Sequence, residues 1–133
     1  MQYLLIFALY VFSTINDYPK GTREISIESN KSLIEIGRLL VEDGYTIAKS
    51  DTTFNFLETS FQPVGNISTK MIIRKSGNRV KLTGQFLSGV SIEMYGVRSE
   101  DKPEPIEKRG MGRSPYMVAF DEMARIAELI KAP

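Results

Sequence analysis

The sequence predicts an α+β fold, an antiparallel four- to five-stranded sheet with two helices packed on one face, in the order β-α-β-β-β-β-α. Three observations predict it. A capped amphipathic helix pattern occupies residues 32–44, and a second helix starts at Ser114-Pro115. Between them, from 45 to 97, the apolar residues follow a period of two. Short connections between successive strands favour a meander.

The first strand is REISIE, residues 23–28, where Ile25 and Ile27 point one way and Glu24, Ser26 and Glu28 the other. The first helix spans about 33–43. Ser32 and Glu35 have the spacing of a capping box, and Leu33, Ile36, Gly37 and Leu40 share one face, with Ile34 and Val41 beside them. Gly44 stands where a left-handed C-cap is expected. YTIAKS (45–50) reads as a strand, Asp51-Thr52 as a turn, and TFNFLETSF (53–61) as the next strand, with Phe54 and Phe56 on one face. Pro63 and Gly65 break it. ISTKMIIRK and RVKLTGQFL follow, joined by Ser76-Gly77-Asn78, a tight-hairpin signal. After Gly89, VSIEMYGV completes the run, with Val90, Ile92 and Met94 on one face. Residues 98–113 are rich in charge, proline and glycine and read as a loop. In the second helix Ser114 is the N-cap and Pro115 the first helical residue. Tyr116, Phe120, Met123, Ala127 and Ile130 form its stripe, and Asp121 and Arg125 an i,i+4 pair.

The 133 residues fit one domain, read as 22–133, with an ordinary globular balance of 42% apolar and 25% charged residues. The chain has no Cys, no His and no Trp. Thiol nucleophiles, imidazole bases, Ser-His triads and Cys/His zinc sites are therefore excluded. No calcium loop of the Asp-x-Asp-x-Asp-Gly kind is present, so neither metal nor cofactor is expected. The adjacent carboxylates Glu42-Asp43, Glu100-Asp101 and Asp121-Glu122 lack the facing geometry that acid-base hydrolysis needs.

Residues 3–12, YLLIFALYVF, are an unbroken apolar run, too short to span a bilayer and of the length of a secretory signal core. Val11-x-Ser13 offers a cleavage site after Ser13, which would make 1–13 a signal peptide and the protein periplasmic or secreted. Against this, no Lys or Arg follows Met1. The alternative is a first buried element of the domain, in a cytoplasmic protein.

DGYTIAKSD, the basic hairpin and RGMGRSPYMVAFDEMARIAELI resemble, over residues 22–131, small uncharacterised exported proteins of Bacteroidetes. The element order resembles the TATA-binding-protein-like fold and a short helix-grip fold. The resemblance is one of arrangement. It carries no active residues that transfer to this chain.

Three constellations are candidate sites. Arg109, Gly110, Gly112, Arg113 and Ser114 precede a helix N-terminus, where free amides and the helix dipole favour an anion. The same residues also serve simply to start the helix. Lys70, Arg74, Arg79 and Lys81 share the outer face of the hairpin if Met71, Ile73, Val80 and Leu82 face the core. Such a face suits a polyanion. The aromatic neighbours that stack bases are missing from it, which argues against nucleic acid, and the alternative is a solvated sheet face. Phe54, Phe56, Phe86, Met94, Phe120 and Met123, with Met117, would line an apolar cavity or fill the core.

The expected function is a non-enzymatic binding or accessory domain, exported, that contacts a small ligand or a protein partner. The alternative is polyanion or nucleic-acid binding through the basic face. No transmembrane span is expected.

Overall fold

A computed structural model describes residues 18–89, 92–99 and 101–133. The apolar run at 1–13, with both of its readings, lies outside the described residues. So do Val90 and the side chains of Ile92 and Met94.

Nine strands and two helices are described: β1 Ile25–Glu28, α1 Leu33–Glu42, β2 Ile47–Asp51, β3 Phe56–Thr59, β4 Gln62–Val64, β5 Ile67–Ser76, β6 Arg79–Leu87, β7 Ile92–Met94, β8 Val97–Ser99, β9 Glu104–Pro105 and α2 Pro115–Lys131. Seven strands form one antiparallel sheet in the order β1-β6-β5-β3-β2, with β4 on β5 and β9 on β6. The fold is α+β. Its continuous path has five strands, within the four to five expected. β4 and β9 are three and two residues long, too short to produce a readable period, and each contains a proline.

The inner face of the sheet is apolar. Ile25 and Ile27 of β1 stand opposite Leu82 and Val80, and Ile73 lies between Leu82 and Leu57 in register. These side chains are buried together with Ile36 and Leu40 of α1 and Phe120, Met123, Ile126 and Ile130 of α2. The β5–β6 hairpin closes at Gly77-Asn78, with Gly77 at φ +60 in the first turn position, as a II′ turn requires.

Three local readings are corrected. Phe54 is not on a strand. The Asp51 carboxylate accepts hydrogen bonds from the amides of Thr53 (2.9 Å) and Phe54 (3.1 Å), which turns the chain and delays β3 until Phe56. VSIEMYGV does not extend the main sheet, because Tyr95 and Gly96, at φ +53 and +76, fold β7 onto β8 as a separate hairpin. The 98–113 segment is not wholly loop: β9 pairs with β6, and Ile106 is fully buried. Gly84 makes room for it. A Cβ there would stand 2.6 Å from the Lys70 carbonyl oxygen and 2.7 Å from Ile106 Cδ1.

Residues before 22 also pack against these elements. The Gly21 amide donates to the Lys108 carbonyl (2.8 Å), and the Tyr18 ring packs edge-on against Phe120.

Candidate functional site

α1 carries more apolar surface than its core face needs. Leu33, Ile36 and Leu40 are buried, yet Ile34 and Val41 remain 62% and 54% exposed. Both border a groove of about 400 Å3 between α1 and β2. Its floor is Gly37 and Leu57, and its far wall is Ile47, Ser50 and Thr52. The volume lies in the range of small-molecule and peptide clefts.

The groove exists because of position and size. β2 is the last strand of the sheet path, pairs among the described residues only with β3, and is irregular between Ile47 and Lys49. Gly37 lies where α1 crosses Leu57, so one turn of the helix has no side chain to fill the space. Five large apolar side chains are exposed among the described residues: Ile34, Val41, Phe54, Tyr95 and Met111. Two of them border the groove, and Phe54 follows its wall residue Thr52 by two positions. Exposed apolar surface is thus more concentrated at this groove than where such residues are scattered singly.

Arg38 and Glu42 bring charge to the α1 wall. They are four residues apart with the arginine first, the weaker orientation for a helix pair. Neither forms an ion pair among the described residues.

Both ends of α1 are held. At its start the Glu35 amide donates to Ser32 Oγ (3.2 Å), and the Ser32 amide donates back to Glu35 Oε1 (3.5 Å). At its end Arg125 of α2 donates to both oxygens of Asp43 (3.0 and 2.6 Å) and to Glu122. Arg125 thus turns away from Asp121, its expected partner. The guanidinium is held above its ordinary range by Asp43 first and Glu122 second. Close by, the Tyr45 hydroxyl is 2.8 Å from Thr69 Oγ1. Burial pushes Tyr45 up to about 12, with the Thr69 hydrogen bond acting the other way.

The sequence-predicted candidates are placed as follows. Phe86, Phe120 and Met123 are core residues. Phe54 is 81% exposed in its turn, and Phe56 lies on the outer face opposite Arg74. These side chains do not come together around one cavity, because Leu57 takes the inner face of β3 and turns Phe56 outward, while Phe54 lies in the Asp51 turn.

In the helix-start loop, Arg109 stacks over the Tyr116 ring at 4.2 Å and lies 3.9 Å from Glu107. Tyr116 in turn donates to Glu104 (2.6 Å), a hydrogen bond that raises its pKa. Gly110, at φ +87, lies against Ser114: a Cβ there would meet Ser114 Oγ at 2.5 Å. Ser114 Oγ accepts from the Met117 amide (3.4 Å), so it caps α2. Gly112 opens to free space and Arg113 is exposed. Arg109, Gly110 and Ser114 are thus engaged with their own neighbours.

The four basic residues do share the outer face. Three face carboxylates there: Lys70 pairs with Glu58, Arg79 with Glu28 (3.8 Å) and Lys81 with Glu24 (3.9 Å). Contrary to the sequence expectation, aromatic rings are present on it. Arg74 lies 5.8 Å from the Phe56 ring and Lys70 5.6 Å from the Phe61 ring. They come from β3 and the segment after it, whose alignment with β5 is a matter of strand pairing and not of sequence spacing.

A cleft of about 500 Å3 beside the end of α2 has a mostly charged and polar lining. Its Lys31 ammonium donates to the Ile130 carbonyl (2.9 Å) and to that of Ala132.

The α1–β2 groove is absent from the candidates that the sequence offers. Its only signal there is that Ile34 and Val41 widen the apolar stripe of α1 beyond one face. No helix among the described residues is long and apolar enough to cross a membrane. The chain matches no protein-family model and no curated protein.

Proposed function

We propose that the protein is a non-enzymatic binding domain that captures an apolar group of a ligand or protein partner in the groove between α1 and β2. The observation that carries this reading is the exposure of Ile34 and Val41 beside a groove whose floor is a helical glycine. Fully burying a side chain of this kind from full exposure is worth about 1.5–3 kcal/mol, and Ile34 and Val41 have roughly half of their surface left to cover. The reading without catalysis rests on the residue inventory, which lacks Cys and His. The apolar run at 3–12 supports export, and an intact mass of residues 14–133 after expression with export possible is the expected result.

The groove reading is tested with an anilinonaphthalene sulfonate dye, which fluoresces in apolar clefts. The wild-type chain is expected to enhance its emission, and Ile34→Glu with Val41→Glu to abolish most of the gain. Both positions are exposed, so the fold should persist, which circular dichroism checks. Equal emission from both proteins would overturn the reading.

A second reading, polyanion binding on the outer sheet face, is favoured by the Arg74–Phe56 and Lys70–Phe61 pairs, because cations beside aromatic rings are what a single strand of nucleic acid uses. It predicts salt-dependent retention on a phosphate resin that is lost when Lys70, Arg74, Arg79 and Lys81 are all replaced. The paired Glu58, Glu28 and Glu24 weaken that face as a cation surface.

A further inference from the structure

We infer that the occupant of the groove is an extended peptide that adds to the free edge of β2 as a further strand and carries an acidic residue toward Arg38. The inference rests on the groove reading above and deepens it.

The first argument is the sheet edge. β2 ends the sheet path, and no strand among the described residues pairs with its other side. An edge strand presents unpaired N–H and C=O groups that template another strand. Here that edge borders the apolar groove itself, because Ile47, Ser50 and Thr52 of the β2 segment form the groove wall. A small apolar molecule would use the groove and leave the edge unused. A helix would fill the groove but leave the edge amides unmet. An added strand uses both, since its backbone pairs with β2 while alternate side chains point toward α1.

The second argument is space. Gly in a helix interior costs about 1 kcal/mol relative to Ala. At position 37 no close contact demands it, since a Cβ placed there would have Leu57 Cδ2 and Cδ1 as its nearest atoms, at 3.8 and 3.9 Å. The missing side chain leaves depth in the groove at the level of Ser50, which is the partner of Leu57 across the β2–β3 ladder. That is where a side chain of an added strand would enter.

The third argument is charge. Arg38 stands on the α1 wall without an ion pair among the described residues, and so does Glu42 one turn on, so a carboxylate is favoured at Arg38 itself and not along the whole wall. Lys49 of the edge strand does not line the groove; it shares Glu58, at 3.9 Å, with Lys70 on the outer face. A carboxylate on the incoming strand meets Arg38 with opposite charge, whereas a second copy of this chain, pairing β2 with β2, would bring Lys49 toward its own copy.

The test uses a phage-displayed library of unconstrained peptides, panned against the full chain, with the selected peptides then made synthetically. The expected consensus has apolar residues at alternate positions and an acidic residue among them. Bound peptide should slow amide exchange in β2. Methylating alternate backbone nitrogens of the peptide should weaken binding roughly tenfold or more when the methylated set faces β2, and little when it faces away. Arg38→Glu, at an exposed position, should switch the selected charge from acidic to basic.

A consensus of helical period, or binding without β2 protection, would overturn the strand inference while leaving the groove reading intact. Dye binding in the groove with no peptide selected would do the same. A chain that dimerises through β2 would also overturn it. If neither dye nor peptide binds, both readings fall.

Discussion

Gly37 of α1 and Leu57 of β3 face each other across the floor of the groove, and a Cβ on Gly37 would stand 3.8 Å from Leu57 Cδ2, an ordinary van der Waals contact. The glycine is therefore not required by close packing, and its backbone does not have the positive φ that favours glycine. Gly37→Ala is expected to raise stability by about 0.5–1 kcal/mol in urea denaturation, the helix-propensity difference. An unchanged or lower stability would mean that the fold itself needs glycine there.

The Arg125 bridge makes a second prediction. Arg125→Met leaves Glu122, which is 8% exposed, without its charge partner, and is expected to cost roughly 1–3 kcal/mol. Asp43→Asn should cost less than about 1 kcal/mol, because Glu122 still holds the guanidinium and the Asp43 contact lies partly in solvent. Equal losses from the two variants in denaturant titrations would contradict this division.

Tyr45 sets an alkaline limit. Its ordinary pKa of 10.0 is pushed up to about 12 in the fold. A group whose folded pKa is raised contributes stability that is fully present below its unfolded pKa. That stability is then lost as pH rises through the folded value. Stability should thus be flat with respect to Tyr45 below about pH 10 and fall between about 10 and 12. Tyr45→Phe removes this component of the fall while losing the Thr69 hydrogen bond, worth about 1 kcal/mol. Denaturation midpoints measured across alkaline pH for both proteins provide the check. Parallel curves would show that Tyr45 is not the group responsible.

Gly84 predicts a steric cost. A methyl group there would collide with the Lys70 carbonyl and Ile106, so Gly84→Ala is expected to lose roughly 1–3 kcal/mol as β9 or β5 shifts. Loss of amide protection at Ile106, whose N–H donates to the Gly84 carbonyl at 3.0 Å, should accompany it. Wild-type stability in this variant would mean that β9 is only loosely held.

Legibility in the sequence follows the range of each signal. Both helix starts are readable, because the Ser32–Glu35 box and Ser114-Pro115 act within one turn. The β5–β6 hairpin is readable for the same reason, with Gly77 in a two-residue turn between alternating strands. The length of the Asp51 turn, which takes Phe54 off the strand, and the β9 pairing are not. One depends on a side-chain carboxylate meeting particular amides, and the other on a two-residue strand finding β6 from far along the chain. Sequence spacing points Arg125 to the wrong partner because Asp121 is near along the chain, whereas Asp43 arrives only when α1 and α2 pack.

The sequence by itself determined the α+β class, the apolar face of each helix, and the chemistry closed to a chain without Cys or His. These depend on residue type and local spacing. Only the tertiary structure decided that β2 ends the sheet path, that Gly37 lies over Leu57, and that Ile34 and Val41 border the same groove. The physical reason is that a groove is the space between elements. Its width depends on how α1 crosses β2 and β3, a long-range packing outcome that no window of sequence contains.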